Sequence, residues 1–260
     1  MELNYTQHSS EGQPLLILHG MLGNSNNWST QSRRLAADFA VCTLDLRNHG
    51  SSPHAPDMDY QTMARDVLEF MDRHGVDKAH MLGHSMGGKT AMQLALQAPD
   101  RLLKLVVADI APVAYGGERG EHDEIFAGLS AIDLDKLQSR TQADGILANW
   151  VDDEIVRQFL LGNLLRREDG TFAWRINLSA IRDSYPLLRA AVSGPAPYTG
   201  ETLFIRGERS DYILPEHEST IRELFPHASI ETIAHAGHWL HAEKPDTFYS
   251  IVRKFLRGEA

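Results

Sequence analysis

Cysteine is nearly absent from this chain: Cys42 is the single one among 260 residues. No internal disulfide can form. None is needed, because a chain of this size buries roughly 75% of its unfolded surface without a staple. Cys42 lies in the apolar run Ala40–Leu46 and reads as a buried, inert thiol. Positive charge is also short, with 25 Lys+Arg against 35 Asp+Glu and a net charge of −10. A basic face for phosphate backbones is therefore not expected, nor a nucleic-acid partner. No apolar stretch approaches the ~18 residues that a membrane span requires. The residues from Met1 to His8 lack the basic and apolar regions of a signal peptide. The expectation is a soluble, cytoplasmic, globular protein. There is no internal repeat or low-complexity tract, and the length fits one large α/β domain with an insertion or two ordinary domains.

What the chain does contain is alternation. Short apolar runs end in Gly or a polar residue: Leu15–Leu18 before His19-Gly20, Val41–Leu44 before Asp45, Ala79–Leu82 before Gly83, and Leu105–Ala108 before Asp109. Leu203–Ile205 before Arg206-Gly207 and Ile230–Ile233 before Ala234-His235 repeat the pattern. Such runs read as strands of a parallel sheet, buried on both faces. Between them, Met63, Val67, Phe70 and Met71 form an apolar helical stripe. So do Ala91, Leu94, Ala95 and Ala98, and again Phe248, Ile251, Val252 and Phe255. Strand–helix alternation implies an α/β fold with a mostly parallel, doubly wound sheet. From about Tyr115 to Ala191 there is helical periodicity but no convincing strand, and alternation resumes after Gly194-Pro195-Ala196-Pro197. The expected organisation is a core of residues 1–112 and 195–260, with 113–194 inserted as a helical cap between two core strands.

Gly83-His84-Ser85-Met86-Gly87 is the strongest local signal. By composition, G-x-S-x-G arises by chance in roughly one chain of this size in ten, so its placement between a strand and a helix carries the weight. A sharp strand–turn–helix elbow would expose the Ser85 hydroxyl above the sheet. Serine is a weak nucleophile and needs a base. Among 13 histidines, His238 lies between the last strand and the last helix, on the same sheet edge as Ser85. His241 reads as structural, and His19 and His84 as positioning or packing groups. A carboxylate must hold the imidazole tautomer, and both Asp109 and Asp211 preserve the order Ser…Asp…His. The backbone N–H of Met86, and that of Met21 in His19-Gly20-Met21-Leu22-Gly23, would serve as oxyanion donors. His235, His238 and His241 have a spacing that suggests a metal, but Gly237 interrupts them and no H-E-x-x-H or Cys cluster accompanies them. No metal and no cofactor are expected.

Taken together, these segments resemble the α/β-hydrolase superfamily. His19-Gly20-Met21 resembles its oxyanion loop, and Asp45-Leu46-Arg47-Asn48-His49-Gly50-Ser51-Ser52 its D-x-R-x-x-G-x-S segment. Gly83–Gly88 resembles the elbow, and Gly237-His238 the histidine loop. Asp45–Gly50, Asp109-Ile110-Ala111-Pro112-Val113 and Gly237–Pro245 resemble a narrower group, the compact bacterial acyl-ester esterases and their mitochondrial hydrolase-domain relatives. That resemblance implies hydrolysis of small or medium acyl esters, a helical cap and no cofactor. Many members place the acid as G-x-x-D, whereas here Ser210 stands three residues after Gly207 and Asp211 follows one later. The narrower group tends to have Ser there and to use the aspartate ending the preceding strand. That favours Asp109 as the acid, with Ser210 as a candidate helper. Asp211-Tyr212-Ile213-Leu214-Pro215 resembles the usual D-x-x-x-P ending, which keeps Asp211 as the alternative.

The leading expectation is a serine carboxylesterase acting through an acyl-enzyme on a small-molecule ester. C–C bond hydrolysis and cofactor-free perhydrolysis use similar triads, and a ligand receptor on a hydrolase scaffold is the reading from another class. The physiological ester and the oligomeric state are not encoded in any motif.

Overall fold

The structure is a computed structural model describing residues 1–116 and 122–259; positions 117–121 of the expected insertion lie outside the described residues. Strands β1 (Tyr5–Gln7), β2 (Gln13–Leu18), β3 (Phe39–Leu44), β4 (Ala79–His84) and β5 (Leu102–Ala108) precede an insert. The insert holds β6 (Leu164–Arg166) and β7 (Phe172–Trp174), and β8 (Thr202–Gly207) and β9 (Ala228–Ile233) follow it. Helices α1 (Ser29–Leu35), α2 (Tyr60–Arg73) and α3 (Met86–Gln97) belong to the first part. The insert adds α4 (Asp123–Ser130), α5 (Arg140–Leu147), α6 (Glu154–Leu161), α7 (Leu178–Asp183) and α8 (Tyr185–Leu188). The chain closes with α9 (Glu218–Leu224), α10 (Leu240–Glu243) and α11 (Pro245–Arg257). Among the described residues, no helix is long and apolar enough to cross a membrane.

The main sheet has the order β1-β3-β2-β4-β5-β8-β9. It is parallel from β3 to β9, with β1 antiparallel on its edge. The apolar runs explain why both faces are covered. Side chains alternate along a strand, so Leu16, Leu18, Met81 and Leu105 enter the core layer beneath α2 and α3. Leu15, Ile17, Leu82 and Val106 enter the opposite layer with Leu35 of α1 and with Phe248 and Val252 of α11. The first parallel strand, β2, sits between β3 and β4, so the winding direction reverses beside it. A crevice opens at such a switch point, outside the carboxyl ends of the strands. The loops after β2 and β4 flank it.

One strand was not anticipated, and two expectations need correction. β1 was not expected, because Tyr5-Thr6-Gln7 is exposed throughout and carries no apolar run; its ladder to Leu44, Thr43 and Cys42 defines it. The insert is not purely helical, since β6 and β7 form an antiparallel hairpin. Three residues per strand are too few to reveal a period of two. Cys42 is half-buried rather than buried, although burial still pushes its thiol up to about 11.

Lys89 ties the insert to the sheet. It lies on α3 and is 1% exposed. Its ammonium donates to Val113 O at 2.7 Å and Ala190 O at 2.6 Å, one carbonyl at each end of the insert. Burial lowers its pKa to about 7. Between that value and the ordinary lysine range the unfolded chain binds the extra proton, so Lys89 makes stability rise with pH. Urea unfolding of wild type and Lys89→Met at pH 7 and pH 9 should show the difference shifting in favour of wild type at the higher pH. A difference that does not change with pH would contradict this.

Candidate active site

The elbow is built by close backbone approach. Ser85 joins β4 to α3 with φ 52° and ψ −119°, a strained conformation that costs about 1–3 kcal/mol. A Cβ on Gly83 would sit 2.2 Å from Gly87 O, and one on Gly87 would sit 2.5 Å from Leu18 O. Only glycine fits at either position. Ser85 N–H donates to Ala108 O at 3.0 Å, which fastens the turn to the end of β5. Its side chain stands half-exposed at the N-terminus of α3, where the helix gathers partial positive charge.

The next residue along that edge, Asp109, also has a left-handed backbone, φ 51°. Its side chain is fully buried. One carboxylate oxygen accepts the Gly207 N–H at 2.9 Å. The other accepts the Ser210 hydroxyl and, at 2.8 Å, the Nδ1–H of His238. Asp109, Ser210 and His238 are thus brought together, whereas Asp211 is exposed in the adjoining loop. The His238 ring stacks on Tyr212 at 4.2 Å. Its backbone carbonyl accepts from Nε2 of His84 at 2.8 Å. Glu243 braces the loop, accepting the N–H groups of Gly237 at 2.8 Å and Trp239 at 3.2 Å.

The three candidate metal histidines diverge. His235 is exposed and meets Glu208 at 3.1 Å, while His241 is buried and stacks on Trp28 at 4.4 Å. Among the described residues no group of His, Cys, Asp and Glu is arranged to hold a metal ion.

Two buried neutral histidines shape the loop after β2. Nε2 of His19 accepts Leu46 N–H at 3.0 Å while its Nδ1–H donates to Gly20 O. His49 does the same for Leu22 N–H at 3.0 Å, with Nδ1–H on Arg47 O. Accepting on one nitrogen requires the uncharged ring, and burial drives both pKa values down, His49 to about 3. Burial works against the charge of Asp45, but the N–H groups of Ser51 and Ser25, with the Asn4 amide among further contributions, hold the carboxyl below its usual range. Arg47 makes a two-pronged pair with Asp66 of α2 at 2.6 and 3.0 Å. The D-x-R-x-x-G-x-S segment is therefore a scaffold for the loop carrying Met21.

Ser85, His238 and Met21 stand where two cavities meet. The smaller, about 60 Å³, is closed by Leu22, Ile125, Val156, Phe159, Leu160 and Trp239. The larger, about 380 Å³, is lined by Met86, Ile110 and four tyrosines, Tyr60, Tyr115, Tyr185 and Tyr212. Insert residues therefore wall both spaces.

Comparison with known proteins gives the family of this fold. A family model described as alpha/beta hydrolase fold matches residues 13–118. Mouse sn-1-specific diacylglycerol lipase ABHD11 is 40% identical over 249 residues, covering 93% of this chain and 80% of that protein. Esterase YbfF of Escherichia coli (strain K12) is 39% identical over 260 residues, covering 98% and 99%. A solved marine microorganism esterase superposes with a TM-score of 0.95 at 40% identity, covering 98% and 99%. The chain belongs to the alpha/beta-hydrolase family and is a carboxylic ester hydrolase.

Sequence reasoning missed His49, Glu243 and Tyr212 as supports of this site. His49 and Glu243 stand inside quoted motifs, yet nothing local announces which backbone N–H each one holds. Burial lowers His241 to about 3, with the neighbouring His238 adding to the effect. Its imidazole and that of His49 should therefore stay neutral between pH 5 and pH 8. Histidine-selective NMR across that range checks it, and a titrating ring at either position would contradict the packing described.

Proposed function

We propose that Ser85 is the nucleophile of a serine esterase, His238 its general base and Asp109 the acid that orients the base. Supporting this most directly is the His238 Nδ1–H donated to the buried Asp109 carboxylate at 2.8 Å. With Nδ1 protonated, Nε2 is left as the acceptor that takes the Ser85 proton. The serine oxygen then attacks the ester carbonyl. The N–H groups of Met21 and Met86 receive the oxyanion, a contribution of about 2.7–4 kcal/mol for each such donor. His238 returns the proton to the leaving alkoxide and afterwards activates the water that releases the acid. In this reading Ser210 shares the Asp109 carboxylate with His238, and Asp211 has no part in the chemistry. Residues 113–194 act as the cap. Small to medium acyl esters suit the two-armed space, with one arm restricted to a short group.

Ser85→Ala should fold normally and lose turnover of p-nitrophenyl acetate, butyrate and octanoate together with labelling by a fluorophosphonate. Retained steady-state turnover in a pure, folded variant would refute the assignment. Asp109→Asn should lower kcat by up to about four orders of magnitude, because an amide favours the wrong imidazole tautomer. Asp211→Asn should stay close to wild type. The opposite ranking in steady-state kinetics would make Asp211 the acid.

A further inference from the structure

Leu22 follows Met21 and adopts φ 60°, a left-handed conformation that a leucine holds only under constraint. Both of its backbone polar groups are held by buried side chains, one from the core and one from the insert. His49 accepts its N–H at 3.0 Å. Asn163 Nδ2 donates to its carbonyl at 2.8 Å. His49 is 0% and Asn163 1% exposed.

The same amide donates to Leu160 O at 3.2 Å, one residue before α6 ends, and Phe159 and Leu160 wall the smaller cavity. Asn163 Oδ1 is buried without a hydrogen-bond partner. Exchanging the amide oxygen and nitrogen would turn oxygen toward two carbonyls, so the hydrogen-bond network fixes the orientation. A buried amide with an unpaired oxygen destabilises the fold where an apolar side chain of similar shape would not. What asparagine supplies here is the donor to Leu22. Asn177 repeats the theme, donating its backbone N–H to the carbonyl of Asn48 at 2.9 Å, and Asn48 is another left-handed residue, φ 65°.

We infer that Asn163 is a positioning residue: from the cap it holds the carbonyl of Leu22, the residue after Met21, so that the oxyanion hole takes its geometry only when α6 is seated on the core. This rests on the assignment of Ser85 and Met21 proposed above. The consequence is that the wall of the smaller cavity and the oxyanion loop move as one body.

The test uses the full chain carrying Asn163→Leu, which keeps the shape and removes the donor, and Asn163→Ser, which leaves room should leucine prevent folding. Circular dichroism checks that each is folded. The expected result is a kcat for p-nitrophenyl acetate lowered roughly 10- to 100-fold with KM changed by less than about twofold, because only the transition state uses the hole. Affinity for a trifluoromethyl ketone, whose hemiketal with Ser85 carries the oxyanion, should fall by the same factor as kcat. A merely structural role would lower Tm without coupling those two losses. A folded variant that keeps kcat, or that raises KM alone, overturns the inference. Fluorophosphonate labelling of wild type separates the two levels. No label on Ser85 removes the underlying assignment, whereas a labelled wild type with unaffected Asn163 variants removes only this inference.

Discussion

A buried carboxylate that pairs with no lysine or arginine among the described residues organises this molecule. Asp109 has no exposure to solvent, and an ion so placed costs several kcal/mol unless hydrogen bonds replace its water. The Gly207 N–H, the Ser210 hydroxyl and the His238 ring provide that replacement. These donors come from the end of β8, from the loop after it and from the loop after β9. One side chain thus pins three segments to the end of β5. Charge-assisted hydrogen bonds are roughly twice as strong as neutral ones, so the pinning is also specific.

Strain gathers on the same edge. The described non-glycine residues with positive φ are Leu22, Asn48, Ser85, Asp109 and His235. They follow β2, β3, β4, β5 and β9 in turn, always at the carboxyl end. Such conformations persist only where neighbours over-determine them, and here they do. Ser85 and Asp109 are held by backbone bonds to Ala108 and Ile205. Leu22 is held by His49 and Asn163, and the Asn48 carbonyl by Asn177. The opposite ends of the strands carry no described residue of this kind. The sheet interior stores stability, and its carboxyl edge stores geometry.

Much of this was legible in the chain because it is local. Runs such as Leu15–Leu18 announce strands buried on two faces, and Gly83–Gly87 announces an elbow because only glycine survives contacts as close as those to Gly87 O and Leu18 O. The choice between Asp109 and Asp211 was harder. Loop counting after Gly207 left both open, and the aim of each side chain depends on backbone angles that no motif records. Short elements such as β1 and the β6–β7 hairpin escaped for want of length. Lys89, Asn163 and Glu243 escaped for a different reason. Each acts by hydrogen bonds to backbone groups, and those of Lys89 and Asn163 reach up to 101 and 141 positions along the chain, a separation that leaves no periodic trace.

The bond between His238 and Asp109 is the contact on which the proposed site depends most. Proton NMR of 15N-histidine-labelled protein observes it directly, since an Nδ1 proton held by a buried carboxylate is shielded from exchange and shifted far downfield. One such signal is expected from His238, lost in Asp109→Asn and kept in Asp211→Asn. A signal that survives Asp109→Asn and vanishes in Asp211→Asn would contradict it.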